Sequence, residues 1–148
     1  MIFAIRKFFL LTLIFLFALH SQAQIANRYD IVIDEIMADP TPQVGLPNNE
    51  WIELKNISPA AINLQGFRLA DLSGQSGPMP SYILKPDSFV IICTGSAVAS
   101  MSVFGAVISV TNFPSLDNNG EQLSLISPQA KIIHAVNYNI SWYQNELK

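Results

Sequence analysis

In the stretch WIELKN, residues 51–56, apolar residues recur at every second position. Successive side chains of an extended strand point to opposite faces, so Ile52 and Leu54 share one face, and Trp51 and Glu53 share the other. One face is therefore apolar and the other is mixed, which is typical of a strand that covers a hydrophobic core. The pattern predicts β-structure here, and the rest of the chain repeats it.

Short apolar stretches of strand length recur on both sides of this one, and Gly, Pro, Asn and Asp separate them. Beyond the first residues of the chain, the pattern allows only one short helical turn, within 97–104. Strands at a spacing of about 8–12 residues with two inward faces favour an all-β fold, a β-sandwich first and a barrel as the alternative. The predicted strands are 29–37, 51–56, 61–64, 67–70, 81–84, 89–93, 107–110, 122–126 and 131–138.

Two glycines mark tight turns. Gly66 separates two apolar pairs, and a residue without Cβ allows a turn that lets both pairs bury at a corner between sheets. Asn119-Gly120 supplies a turn with positive φ of the kind that tight hairpins use. We expect this turn to close a hairpin and to fix the register of Leu123 and Leu125.

The N-terminus has the three parts of a secretory signal peptide. Arg6 and Lys7 precede an apolar run of 12 residues at 8–19, and Ser21 and Ala23 are the small residues of a cleavage site after Ala23. This run is too short to span a bilayer, which takes about 17–25 residues. We expect residues 1–23 to be removed, and the mature chain to be secreted or held in the cell envelope without a transmembrane anchor.

The composition of the mature chain argues against some partners. Removing Arg6 and Lys7 from eight basic residues leaves six against eleven acidic ones, a net charge of −5. Nucleic-acid binding rewards concentrated positive charge, so no nucleic acid is expected as a partner. Cys93 is the only cysteine, which excludes an intrachain disulfide. A small secreted domain without disulfides is more natural for a bacterial envelope or exterior.

Five blocks of the mature chain carry a family resemblance. In order, they are IDEIMADP at 33–40, NEWIELKN at 49–56, INLQGFRLAD at 62–71, LKPD at 84–87 and PSLDNNGEQLSL at 114–125. Together they resemble a lamin-tail domain, the immunoglobulin-like module of nuclear lamins that also occurs in secreted bacterial proteins. Asp34 stands where the family usually has Asn, which keeps a side-chain oxygen. The resemblance implies an immunoglobulin-like β-sandwich of about seven to nine short strands, without a disulfide, that binds or scaffolds and has no active site.

These patterns divide the chain into four segments. Residues 1–23 are the signal peptide, 24–29 a short lead, 30–138 the lamin-tail-like sandwich and 139–148 a tail. The sequence WYQN at 142–145 looks like the start of a further segment. We therefore expect a truncated chain, a fragment of a longer protein, or a module that ends unusually early.

Reactive side chains are too few for a catalytic prediction. His134 is the one histidine of the mature chain, and it alternates in phase with the apolar residues of its strand. Cys93 follows Ile91 and Ile92, as a small buried hydrophobe does. A nucleophilic pair of Cys93 and His134 would need a third, orienting group, and the sequence offers none. We predict that the chain is not an enzyme.

One acidic constellation is a candidate metal site. If the first two strands are neighbours, several carboxylates of these strands and their connecting loop converge, and Ca²⁺ accepts about 6–8 such oxygens. The alternative is a solvated rim, with Glu53 paired to Lys55 or Arg68 across strands. The candidate ligands are Asp34, Glu35, Asp39, Glu50 and Glu53.

Aromatic residues are the candidates for partner binding. Trp51 points away from the face of Ile52 and Leu54, while Trp142 and Tyr143 follow the last strand. Exposed aromatic rings anchor protein partners or stack on sugars. The alternative for Trp51 is burial by a neighbouring loop. We expect a non-catalytic module that attaches to a protein, or to a cell-surface or extracellular polymer, and a carbohydrate-binding module is the alternative.

Overall fold

The computed structural model describes residues 26–142. The predicted signal peptide and Tyr143 lie outside these residues. Nine strands follow one another: β1 (Ile31–Met37), β2 (Trp51–Asn56), β3 (Ile62–Asn63), β4 (Arg68–Ala70), β5 (Ile83–Leu84), β6 (Phe89–Cys93), β7 (Val107–Ser109), β8 (Gln122–Ile126) and β9 (Ile132–Asn137). Between β6 and β7 lie a 3₁₀ turn (Gly95–Ala97) and the helix α1 (Val98–Met101), and a second 3₁₀ turn (Ile140–Trp142) follows β9.

The strands form two main sheets and one small pair. The first sheet has the order β1-β2-β6-β7, the second has the order β4-β8-β9, and β3 pairs with β5. All pairs are antiparallel except β6 and β7, which run parallel because the segment containing α1 crosses over between them. The prediction of an all-β sandwich is confirmed. The helix α1 falls within 97–104 as expected, whereas the 3₁₀ turn at 140–142 was not predicted.

The core lies between the inward faces of the two main sheets. Ile52 and Leu54 of β2 are fully buried, as are Leu123 and Leu125 of β8 on the opposite sheet. Alternation dictates this arrangement, because residues two positions apart on a strand share a face. Burying this apolar surface is the main favourable contribution to folding.

The outer face of the first sheet carries a second, smaller hydrophobic cluster. Trp51, Cys93, Ala97 and Met101 are its buried members, together with Ile91. The 3₁₀ turn and α1 supply Ala97 and Met101, so the crossover segment covers one end of this sheet. The other end of the same face has no such cover among residues 26–142, and this difference positions the candidate site.

One edge of the sandwich is closed by contacts between β1 and β9. Tyr29 donates its backbone N–H to the carbonyl of Ile133 at 2.8 Å. Ile33 donates its backbone N–H to Nδ1 of His134 at 3.0 Å. The register of β1 against β2 shifts between Ile33 and Glu35, which makes Asp34 an extra residue at a bulge.

One of the two predicted turns differs in the structure. Gly66 has a φ of +82°, in agreement with the expectation. Gly120 also has a positive φ, +117°, but its turn does not close a hairpin. Gly120 leads into β8, which pairs with β9 through the later turn at 127–130. The sequence therefore predicts the backbone conformation of Gly120 correctly and the hairpin at this turn wrongly.

No helix within residues 26–142 is long and apolar enough to cross a membrane.

Candidate binding surface

An open groove of about 730 Å³ lies across the uncovered end of the first sheet. We call it the acidic groove, because four carboxylates lie along it. Aromatic rings and backbone of the segment after α1 complete its walls. Its lining residues are Asp34, Glu35, Glu53, Tyr82, Asp87, Ser88, Phe89, Ile91, Phe104, Gly105 and Ala106.

The floor of the groove is a rung of side chains across the sheet. Glu35 of β1 stands opposite Glu53 of β2, which stands opposite Ile91 of β6. Like charges directly opposite each other on neighbouring strands destabilise a sheet. The alternation in WIELKN places Glu53 on this outer face, and the bulge at Asp34 brings Glu35 to the same face.

The pKa of the Glu53 carboxyl reports the electrostatics of the groove. Burial raises the pKa of the Glu53 carboxyl above its ordinary value, and the negative charges of Glu35 and Asp34 raise it further. Lys55 acts in the opposite direction, without reversing the shift. Negative charge is therefore concentrated here beyond what the neighbouring cation offsets.

Replacing Glu53 by Gln is expected to stabilise the protein at pH 7 by about 0.5 kcal/mol. A carboxyl whose pKa is raised in the folded state stabilises fully below its ordinary value of 4.5, and this contribution is lost as the pH rises through the folded value. The neutral amide removes that loss, although solvent screening keeps the gain small. Urea denaturation of wild type and Glu53→Gln at pH 7 and pH 4 measures this gain in the free energy of unfolding. The gain should be smaller at pH 4.

Glu35→Gln supplies the control for this substitution. Because the repulsion belongs to the pair, the double variant with Glu53→Gln is expected to gain less than the sum of the two single variants. Full additivity would show that Glu35 and Glu53 do not repel each other.

Aromatic rings form the apolar part of the groove. The side chain of Phe89 is 41% exposed and that of Phe104 is 49% exposed, although both are large apolar groups. The ammonium Nζ of Lys55 lies 4.7 Å from the centre of the Phe89 ring, within the range of a cation–π contact. One cation, that of Lys55, therefore already lies beside the groove against the Phe89 ring.

Trp51 does not lie at the surface, so it is not an accessible binding residue. Its side chain is only 5% exposed and packs in the cluster with Cys93 and Met101. The alternative of burial by a neighbouring segment is the one that the structure shows. Its Nε1 has no hydrogen-bond partner among the described residues. The sequence placed Trp51 on the correct face but could not show that α1 covers that face.

Trp142 is exposed, in agreement with the expectation that it lies on the surface. Its side chain is 59% exposed and borders a small cavity of about 170 Å³ at the edge where β1 and β9 meet. Ile33, Ile36 and Val136 give this cavity an apolar floor, with polar groups at its rim. We call it the seam pocket; its remaining lining residues are Asp34, Tyr138 and Asn139.

The five acidic residues proposed as calcium ligands do not converge. Glu50 accepts a hydrogen bond from the backbone N–H of Leu116 at 3.2 Å, and Asp39 accepts one from Thr41 at 3.3 Å. Only Asp34, Glu35 and Glu53 share the groove. Within residues 26–142 no group of three acidic, histidine or cysteine side chains is arranged to hold a metal ion. The arrangement does not support the calcium site, because two of the five carboxylates bind backbone in separate loops.

Glu50, which binds backbone, differs in its surroundings from the carboxylates that share the groove. Burial raises the pKa of its carboxyl, the hydrogen bond from the Leu116 backbone lowers it, and the charge of Glu121 raises it. Glu50 thus holds the segment before β8 against the start of β2. Its role is structural, whereas Glu35 and Glu53 face solvent in the groove.

Cys93 and His134 lie on different sheets with different neighbours. Burial raises the pKa of the Cys93 thiol, which favours the unreactive protonated form. His134 uses Nδ1 to accept a hydrogen bond from Ile33, and its ring meets the Tyr29 ring edge-on at 5.9 Å between centroids. Neither side chain is arranged to activate the other.

Acidification is expected to destabilise the protein through His134. Burial lowers the pKa of His134 from 6.5, and protonation of Nδ1 abolishes its hydrogen bond from Ile33. The stability that it contributes is complete above pH 6.5 and is lost as the pH falls through the folded value. The free energy of unfolding should therefore fall by about 1 kcal/mol between pH 7.5 and pH 5, the net contribution of one hydrogen bond. Urea denaturation across this range measures it.

His134→Gln isolates this effect, because the amide does not titrate. Glu50 and Glu53 act with the opposite sign, since raised carboxyl pKa values cost stability as the pH rises. The pH profile of the variant should lack the loss on acidification. An unchanged loss in the variant would assign the effect to other groups.

Sequence patterns missed part of the groove. Phe104 and Asp87 lie in connecting segments, where no periodicity indicates the direction of a side chain. Phe89 could have been found, because it stands opposite Lys55 on the outer face that alternation defines. The cross-strand pairing of basic Lys55 with aromatic Phe89 could have indicated this part of the groove from the sequence.

Comparison with known proteins gives a family match for the chain. No curated protein matches the chain. A family model, that of the Lamin Tail Domain, matches residues 24–139. This family is immunoglobulin-like and non-catalytic, and its domains are generally protein-interaction modules. The match covers most of the sequence, so the chain belongs to the lamin tail domain family.

Proposed function

We propose that this protein is an exported, non-catalytic module that attaches to a protein partner at the cell surface or outside the cell. The observation that carries the proposal is the acidic groove, an open depression with exposed aromatic rings and no reactive pair among its lining residues. Exposed apolar groups rimmed by polar ones mark interaction sites on soluble domains.

Two further points support attachment over catalysis, and a third supports export. The family is generally one of protein-interaction modules. The two nucleophile or base candidates, Cys93 and His134, are engaged in packing and in a structural hydrogen bond. The leader at residues 1–23, with its charged start and short apolar run, supports export.

A binding assay on cell-envelope preparations tests the proposal. The purified protein is immobilised, and envelope material from the source cells is passed over it before and after protease treatment. Saturable binding that protease treatment abolishes is the expected result. Absence of saturable binding to envelope and to the extracellular fraction would refute protein attachment.

Carbohydrate binding is the second candidate, and Trp142 favours it. An exposed indole beside the carboxylate of Asp34 and the amide of Asn139 combines a stacking surface with hydrogen-bonding groups, as sugar sites do. Saturable binding on a glycan array that Trp142→Ala abolishes would select this function. The envelope assay separates the two, since sugar-dependent binding survives protease treatment of the ligand.

A further inference from the structure

The outer face of the first sheet is covered at one end and open at the other. Around Trp51 and Cys93, α1 and its preceding turn bury the face. On the next two rungs of this face, Glu53 and then Phe89 line the acidic groove. Among residues 26–142, the open end is therefore an uncovered part of a sheet face that is otherwise packed.

The charge of the open end is one-sided. The described residues that line the groove include four carboxylates, those of Asp34, Glu35, Glu53 and Asp87, and no lysine or arginine. Lys55 lies beside the groove on the Phe89 ring and offsets Glu53 only in part. Complementary potentials guide the choice of partner and its rate of association.

The facing pair of Glu35 and Glu53 costs stability, and the fold retains it. Natural sequences depart from such local rules mainly at functional sites. A partner that brings positive charge between these carboxylates would turn their repulsion into attraction. Phe104 on the other wall adds an exposed ring, and aromatic faces also attract cations.

We propose that the acidic groove binds an extended basic segment of a partner protein, with lysine or arginine side chains set between the carboxylates and the aromatic rings. This inference rests on the proposed attachment function and names the chemistry of the partner. The groove is open along the sheet and has a volume of about 730 Å³, within the range of about 300–1,000 Å³ for ligand sites. It therefore suits several side chains of an extended segment.

Fluorescence anisotropy with two labelled peptides tests the proposal. The first alternates lysine with phenylalanine and glycine, and the second replaces each lysine by glutamate. The purified protein should bind the basic peptide and not the acidic one, and added salt should weaken the binding, because the contacts are exposed charges. Equal binding of both peptides, or of neither, would overturn the proposal.

Matched variants separate the groove from general negative charge. The double variant Glu35→Gln with Glu53→Gln is expected to weaken binding about tenfold, which corresponds to about 1.4 kcal/mol. Asp71→Asn with Asp117→Asn removes the same charge at turns outside the groove and keeps acceptor oxygens for the turn hydrogen bonds. Phe104→Ala should also weaken binding. An equal loss in the Asp71 and Asp117 control would show that only net charge matters, and would overturn the inference.

The envelope assay distinguishes a failure of this inference from a failure of the proposed function. If the envelope binds wild type and the Glu35 and Glu53 double variant equally, attachment stands and the groove is not its site. If the envelope does not bind wild type, attachment itself fails, whatever the peptide does.

Discussion

Asn56→Ala is expected to lower the free energy of unfolding by about 3 kcal/mol, because it leaves several buried polar groups without partners. The Asn56 side chain is fully buried at the end of β2. Its Nδ2 donates to the carbonyls of Ala60 and Leu84 at 2.8 and 2.9 Å. Its Oδ1 accepts from the backbone N–H and the hydroxyl of Ser58 at 2.9 and 2.8 Å.

This side chain joins two parts of the chain that no sheet pairing connects. Through Ser58 and Ala60 it shapes the loop after β2, and through Leu84 it ties β5 to that loop. Ser88 and Asp87 form backbone hydrogen bonds with the same residue. Since Asp87 lines the acidic groove, the loss of Asn56 should also disturb one wall of the groove.

Asn63→Ala is the matched control for Asn56→Ala. Asn63 also accepts backbone N–H groups, from Gln65 and Tyr82 at 3.1 Å each, but in an exposed and a half-buried setting. Water can replace these bonds, so a loss of about 1 kcal/mol is expected. Urea denaturation of both variants measures whether the buried side chain contributes more to stability than the exposed one. A loss for Asn56→Ala no larger than for Asn63→Ala would contradict the argument from burial.

Asn56→Asp separates the hydrogen bonds that the Asn56 side chain accepts from those that it donates. The carboxylate still accepts from Ser58, but it cannot donate to Leu84, and it places charge against a buried carbonyl. Its stability should therefore lie well below that of wild type. A near-normal stability would mean that the two donated hydrogen bonds contribute little.

The fold could be predicted from sequence where periodicity carries the information. The alternation in residues 51–56 placed Ile52 and Leu54 in the core, and both are fully buried. The parallel pairing of β6 with β7 could not be predicted, since strand patterning does not encode a partner. The turn at Gly120 shows a similar limit, because its positive φ is predicted correctly whereas the hairpin predicted there does not form.

The site was predictable only in part, for a related reason. Alternation assigns Glu53 to the outer face and also assigns Trp51 to it, yet one faces a groove and the other is buried. What separates them is α1, a helix of four residues that covers only one end of the sheet. The sequence of a strand does not indicate which part of its outer face another segment will cover. The sequence likewise gave no sign that Asp39 and Glu50 bind backbone of loops, away from Asp34, Glu35 and Glu53.

Gly120→Ala is expected to destabilise the protein by about 3 kcal/mol or more, through two separate effects. The φ of +117° is one that residues with a Cβ rarely adopt. A Cβ would also lie against the carbonyl oxygen of Tyr138 and at 2.6 Å from Cα of Asn139. Both contacts are with backbone, so no side-chain rotation relieves them.

Two other glycines separate the effects of strain and of contact in Gly120→Ala. Gly45 has a φ of +73° but open space around a Cβ, and at Gly74 a Cβ likewise meets nothing within 4 Å, with no positive φ. Urea denaturation should show a graded loss: about 0.5 kcal/mol or less for Gly74→Ala, about 1 kcal/mol for Gly45→Ala, and the largest for Gly120→Ala. Because the Gly120 turn receives the N–H of Ile140 through Asn119, its displacement should move Tyr138 and reshape the seam pocket. Equal losses at Gly45 and Gly120 would show that the backbone contact yields without cost.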